Sequence, residues 1–239
     1  MYEKILITSK TKKKYKFYLK KNVFKPTGTT IAIIDSLYKI KFNSKDVLDL
    51  GCGCGILSVA MKKLKLCKGN IFASDISNDS VKATKINARL HKFKIEARCG
   101  KLFDPWKNSK FDLIVNDVAG ISKKLSKISS WYNNVSCETG DDGTYLTSII
   151  LKNSSNFLKK KGKIIFPIIS LSNKKKVLKI AKKNFKNVKL IHYKEFPLPK
   201  TLLSNIKILE NLEKKGITQL IRKFGLILFS TEIYCAYND

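Results

Sequence analysis

Between Asp46 and His192 short apolar runs alternate with stretches whose apolar residues recur at helical spacing. Apolar runs of roughly four to eight residues suit strands, and a period of about 3.6 suits amphipathic helices. On this pattern strands are predicted at Val47–Leu50, Asn70–Asp75, Lys94–Arg98, Phe111–Asn116, Lys163–Ile168 and Val188–His192. Helices are predicted near 56–65, 78–91, 144–160 and 173–184. Asn78 or Asp79 is placed to cap the second of these, and Gly162 to stop the third. Strand and helix in alternation imply an α/β fold, a parallel sheet covered by helices.

The rhythm fails in three places. Residues 1–22 alternate weakly, carry many lysines, and read as a short hairpin or basic arm. Residues 119–143 form a long connection holding Trp131, Tyr132, Cys137, Glu138 and the turn-like Gly140-Asp141-Asp142-Gly143. Residues 194–223 open on Phe196-Pro197-Leu198-Pro199 and continue into a helix around 203–214, before a strand in Gly225–Tyr237. Long connections inside a compact domain tend to be functional. The expected organisation is an arm over 1–22, then one domain over 23–239 with additions near 119–143 and 194–223.

Composition changes this picture only a little. A hydrophobic fraction of 44 % argues for a folded chain. No apolar run approaches the roughly 18 residues that span a bilayer, so no membrane association and a cytoplasmic location are expected. The six cysteines show no C-x-x-C spacing; Cys52 and Cys54 lack two further ligands, and buried reduced thiols are expected rather than a metal. The net charge of +30 would attract polyanions such as RNA. Yet only three of the 48 basic residues are arginine, the side chain whose planar fork reads phosphates and bases. That skew points to compositional bias as readily as to a dedicated nucleic-acid site.

Chemistry concentrates in VLDLGCGCG (47–55), a strand and glycine turn followed by the helical ILSVAMKKL. Gly51, Gly53 and Gly55 let the backbone turn sharply and approach a ligand, and the helix that follows presents free N–H groups. A dinucleotide fingerprint would place its third glycine where Ile56 stands, so the spacing suits a nucleoside-type ligand without a pyrophosphate. Asp75, closing the strand IFASD, is placed to accept hydrogen bonds from ribose hydroxyls. Asp49 is placed to orient the loop or meet a ligand ammonium.

With these motifs the chain resembles the class I S-adenosylmethionine-dependent methyltransferases over most of residues 23–192. VLDLGCGCGILSVA is similar to the family's cofactor loop, IFASDIS to its ribose-binding strand end, and FDLIVNDVAG to its acceptor-side strand end. Two branches are closest. CGKLFDPWKNSKFDLIV and NVFKPTGTT resemble the release-factor glutamine methyltransferases; GCGCGILSVA and NDVAG resemble the ribosomal-protein lysine methyltransferases. The resemblance implies a Rossmann-like fold with a mostly parallel seven-stranded sheet, an antiparallel last strand and helices on both faces. It implies S-adenosyl-L-methionine as cofactor, held by Asp49, Gly51, Cys52, Gly53, Gly55, Asp75, Ile76, Leu102, Asn116 and Thr29. It also departs from the pattern. Asp117 and Val118 replace the two prolines of the glutamine branch, and Lys101 replaces the acid that meets adenine, leaving the Leu102 backbone and neighbouring side chains for that task. The 22 residues before the domain are too few for the substrate-recognition domain of the lysine branch.

Methyl transfer needs orientation, exclusion of water and a group to take the acceptor's proton. Asn116 and Asp117 are the expected catalytic pair, with Glu138, Asp141 and Tyr145 as weaker candidates. Trp131 and Tyr132 either line the pocket or pack in the core. Thr27, Gly28, Thr29 and Thr30 form either a flap over the cofactor or a loop before a helix. The expected activity is methylation of a protein side-chain nitrogen, with a ribosomal or other translation protein as partner and RNA contact allowed by the lysines. A methyltransferase for RNA or a small molecule, and a non-catalytic module of the same fold, are the alternatives. Oligomeric state is open.

Overall fold

In the computed structural model, which describes residues 1–42, 44–118, 120–132, 135 and 137–239, the alternation builds a parallel sheet extended by an antiparallel edge. Ala119, Asn133, Asn134 and Ser136 of the 119–143 connection lie outside the described residues. The chain begins with the hairpin β1 (Tyr2–Leu6) and β2 (Lys14–Tyr18), then α1 (Gly28–Ile40). The central run is β3 (Val47–Leu50), α2 (Ile56–Lys63), β4 (Ile71–Asp75), α3 (Asn78–Leu90), β5 (Glu96–Cys99) and β6 (Phe111–Asn116). After α4 (Lys123–Ile128) and α5 (Tyr145–Asn153) come β7 (Leu158–Ile169), α6 (Lys174–Asn184) and β8 (Asn187–Pro197). The short helices α7 (Lys200–Leu203) and α8 (Ile206–Lys214) lead into β9 (Ile221–Lys223) and β10 (Leu226–Tyr237).

Strand order is β5-β4-β3-β6-β7-β10-β8, with β9 added on β10. Neighbours from β5 to β7 are parallel, whereas β10 runs antiparallel between β7 and β8. The predicted seven-stranded sheet with an antiparallel last strand is present, and β9 adds an eighth short strand. β3 is fully buried, as a central parallel strand requires. One core packs the hairpin, α1 and α2 on one face; a second packs α5 and α6 on the other.

Three local expectations are corrected. The helix predicted over 144–160 ends at Asn153, where Asn153-Ser154-Ser155-Asn156 favours turns over a helix interior, and β7 begins at Leu158. Gly162 lies inside that strand, beside an irregular register between β6 and β7, where a Cβ would sit 2.8 Å from the Phe111 carbonyl oxygen. The cap of α3 is Ser77, whose hydroxyl accepts the Ser80 N–H. Thr27 to Thr30, read as either a flap or a loop before a helix, open α1, where Thr27 and Thr30 form a reciprocal capping box.

The two long connections meet. Ile121 and Leu125 of the first pack with Leu198, Leu202, Leu209, Leu212 and Leu220 of the second, a third core beyond the carboxyl ends of the central strands. The hairpin is equally docked, with Ile7 and Phe17 fully buried and Asp35 accepting from both hydroxyls of Thr8 and Ser9. Buried Asn87 joins this hairpin to the glycine loop. Its Oδ1 accepts the Tyr18 N–H at 2.6 Å, and its Nδ2 donates to the carbonyls of Tyr18 at 2.9 Å and Cys54 at 2.8 Å. Asn87→Ala strands those backbone groups and is expected to cost about 1–3 kcal/mol. A urea titration of both proteins checks this, and an unchanged midpoint would contradict it.

Candidate functional site

The parallel register sets Leu50 directly beside Asn116, so the loop after β3 and the turn after β6 open at one point of the sheet. To one side of β3 lie β4 and β5 and to the other β6 and β7, which makes this the topological switch point where open α/β sheets bind ligands. Residues Gly51, Gly53 and Gly55 all have positive φ, at 78°, 53° and 78°. At Gly51 an added Cβ would lie 2.2 Å from Val118 Cγ2, so the loop lies directly against the turn after β6. The Gly51 and Cys52 N–H groups donate to the Ser74 carbonyl at 2.9 and 3.0 Å, bracing the loop on the end of β4.

These elements enclose a cavity of about 440 Å³. Of the residues singled out from sequence, Gly51, Cys52, Gly53, Asp75, Ile76, Leu102 and Asp117 line it. Four others do not, for separate reasons. Asp49 is fully buried behind the loop, where one carboxylate oxygen accepts the Ser58 N–H at 3.0 Å and the Ser58 hydroxyl at 2.6 Å. Gly55 packs against Thr84. Thr29 turns away to share a hydrogen bond with Thr231 at 3.2 Å, and Thr30 takes the place on the cavity wall. Asn116 is buried beneath it: its Oδ1 accepts the Val118 N–H at 2.9 Å, and its Nδ2 has no partner among the described residues. Asn116 thus shapes the turn that presents Asp117.

Part of the cavity wall comes from residues the sequence marked only weakly. Glu138 and Tyr132 line the cavity, and the Tyr132 ring packs 5.5 Å from that of Phe24. Trp131 instead packs edge-on against Phe229 in the third core. Tyr145, 45 % exposed, and Asp141 stay outside the cavity wall. Phe24, Pro26, Val135, Cys137 and Leu146 also form the wall and went unpredicted. The signal for Phe24 and Pro26 was their place in NVFKPTGTT, a stretch that carries the family resemblance. Leu102, a bulky residue with φ of +47°, accepts the Ser74 hydroxyl through its carbonyl at 3.3 Å.

Acids dominate the electrostatics. Asp75 Oδ2 accepts the Gly53 N–H at 3.0 Å and Oδ1 the Ser77 N–H at 2.9 Å, while burial raises its pKa. Burial pushes Asp117 up to about 7, opposed by the Thr30 hydroxyl that donates to its Oδ2 at 2.7 Å and reinforced by the charge of Asp49. Burial likewise lifts Asp49 to about 7, partly offset by Ser58. A carboxylate so desolvated regains energy when a cation or a row of donors arrives. In a chain of net charge +30, acids on the rim and beneath the floor of this cavity select positive charge and polar hydroxyls. Asp75→Ala is expected to weaken S-adenosylhomocysteine binding by about 1–3 kcal/mol, roughly 5- to 150-fold. Calorimetry measures it, and an unchanged affinity would remove Asp75 from the ligand's contacts.

Comparisons with known proteins agree with this geometry. A bifunctional methyltransferase of Rickettsia typhi is 32 % identical over 161 residues, 64 % of this chain but only 30 % of that protein. A putative protein N5-glutamine methyltransferase of Methanocaldococcus jannaschii is 29 % identical over 163 residues, covering 68 % of this chain and 80 % of its own. The crystal structure of a ribosomal protein L11 methylase from Lactobacillus delbrueckii subsp. bulgaricus superposes with a TM-score of 0.55 at 20 % identity, over 91 % of this chain and 82 % of that one, a likeness of fold. The description "Ribosomal protein L11 methyltransferase (PrmA)" matches residues 26–191, well over half of the chain. The chain therefore belongs to the ribosomal protein L11 methyltransferase (PrmA) family.

Proposed function

We propose that the chain is an S-adenosylmethionine-dependent methyltransferase acting on a side-chain nitrogen of a protein of the translation apparatus. The observation that carries this reading is the seating of an acid-bearing, glycine-walled cavity against Asp117 at the switch point of the sheet. The cavity residues suit the cofactor's chemistry. Asp75 has lone pairs left for ribose hydroxyls beyond its two backbone donors, and the site's acids favour a sulfonium and an ammonium. Bound S-adenosylmethionine supplies an electrophilic methyl group whose transfer leaves a neutral thioether. This chain's residues do the remaining work. The glycine loop and Asp75 hold the nucleoside, Leu102 and Lys101 wall one side of the cavity, and Phe24 and Tyr132 exclude water from the other. Asp117 accepts the proton of the incoming nitrogen, and Thr30 fixes its carboxylate. The lobe built from 121–132 and 198–229 forms the acceptor side.

The acceptor class follows the names of the relatives, one for ribosomal protein L11 and one for a protein glutamine. No helix among the described residues is long and apolar enough to cross a membrane. Purified protein incubated with methyl-labelled cofactor and fractionated ribosomal and release-factor proteins tests the proposal. Protease-sensitive, nuclease-resistant label is expected. Label that nuclease removes would transfer the activity to RNA, and no label in any fraction would refute it.

A further inference from the structure

A second cavity, of about 750 Å³, adjoins the first, and Pro26 and Val135 line both. Its walls come from four places: Met1 and Glu3 at the start of the hairpin, the strand end and segment after Tyr18, the approach to α1 at Lys25–Gly28, and Ser130 with Trp131 and Val135. Its floor is apolar, with buried Leu19 and Val23 and the indole of Trp131 held by Phe229. Its rim is cationic. Exposed Lys20, Lys21 and Lys25 stand around it, and the only acid among its lining residues, Glu3, is held by Lys25 at 2.9 Å. Lys20 reaches Asp79 at 2.7 Å, outside the lining.

We propose that this cavity receives the polypeptide bearing the methyl-accepting nitrogen and selects a segment in which acidic residues flank an apolar one. The inference rests on the methyltransferase reading and adds the path by which the acceptor arrives. An apolar floor takes an uncharged side chain; Lys21 takes a carboxylate directly, and Lys20 and Lys25 do so by exchanging Asp79 and Glu3 for the ligand's acids. The shared wall of Pro26 and Val135 leads from this cavity to the space beside Asp117. A polynucleotide fits less well: none of Arg89, Arg98 and Arg222 lines either cavity, and no arginine fork is available for phosphate.

The test uses the full chain, two fluorescein-labelled twelve-residue peptides and a labelled single-stranded RNA twelve-mer, read by fluorescence anisotropy. One peptide alternates glutamate with leucine around a central lysine; the other replaces every glutamate by glutamine. The acidic peptide is expected to bind at least about tenfold more tightly than the neutral one, and the combined variant Lys20→Gln, Lys21→Gln, Lys25→Gln to lose that preference. A second variant, Lys182→Gln, Lys183→Gln, Lys186→Gln, removes the same charge at the opposite end of the sheet and is expected to keep it. Equal losses in both variants would show bulk charge at work and overturn the inference. So would RNA binding that outcompetes the acidic peptide and falls in the first variant alone. Binding of S-adenosylhomocysteine, followed in each protein by calorimetry, reports an intact fold. If the wild-type chain fails to bind it, the methyltransferase reading fails; if it binds while the acidic peptide shows no preference, only the acceptor path fails.

Discussion

Gly51→Ala is expected to lower the affinity for S-adenosylhomocysteine by about 30-fold or more and to depress the melting temperature. Two costs add. Alanine at a φ of +78° pays about 1–2 kcal/mol for the left-handed conformation. Its methyl would also lie 2.2 Å from Val118 Cγ2, and relieving such an overlap costs about 1–3 kcal/mol more. Val118 cannot yield easily, because its N–H is bound to Asn116 and its carbonyl accepts the Thr147 hydroxyl at 3.3 Å. Whatever moves is therefore the loop itself or the turn that carries Asp117. Calorimetry and thermal melts measure the loss. Adding Val118→Ala should recover the steric part and leave the backbone part. A double variant no better than Gly51→Ala would show that the contact with Val118 is unimportant.

Asp117→Asn should leave cofactor-product binding intact while turnover falls by about 10²- to 10⁴-fold, the usual worth of a positioned general base. With its pKa pushed up to about 7, Asp117 is half protonated near neutrality, so the rate should rise as pH passes through about 7. The asparagine variant should lack that limb. Asp49 contributes by charge alone, so Asp49→Asn is expected to shift the limb to lower pH. Stability moves the opposite way. Burial favours the protonated form of both carboxylates, so the stability they contribute is full below the ordinary carboxylate range, roughly pH 4, and is lost as pH rises through about 7. The difference in melting temperature between the wild type and Asp49→Asn should therefore change across that window. An unchanged pH–rate profile in Asp49→Asn would contradict the coupling, and a loss of cofactor affinity in Asp117→Asn equal to that of Asp75→Ala would move Asp117 off the acceptor side.

Both results depend on features that differ in how visible they are along the chain. The sheet around the site was legible because each piece is local: β3 with its glycines, β4 ending on Asp75, and β6, found with both predicted ends in place. Short-range chemistry failed where a distant partner decides. Lys159 lies in a strand, its ammonium 2.6 Å from Asp46 and 3.1 Å from Asp112, although its neighbours read as the tail of a helix. Asp49 and Asp75 look alike in sequence, yet Ser58 folds back over the first and only the second reaches the cavity. Trp131 and Tyr132 are adjacent and both pack against the third core, yet the ring of one meets Phe229 and that of the other meets Phe24 on the cavity wall. The lobe beyond the sheet was visible only as two long gaps, since its leucines find each other across some 70 residues of chain.

Asn87 gives these parts a thermodynamic tie. One carboxamide holds the glycine loop at Cys54 and the end of β2 at Tyr18, the strand that opens into the second cavity. A ligand that stiffens the loop therefore removes freedom from the hairpin as well, and the next molecule to settle against the hairpin has less disorder to quench. The two cavities would then show positive cooperativity with no displacement of the backbone, and reciprocity requires that each occupant tighten the other by the same factor. Slowed amide exchange at Tyr18 on addition of S-adenosylhomocysteine is its signature, and Asn87→Ala should silence it.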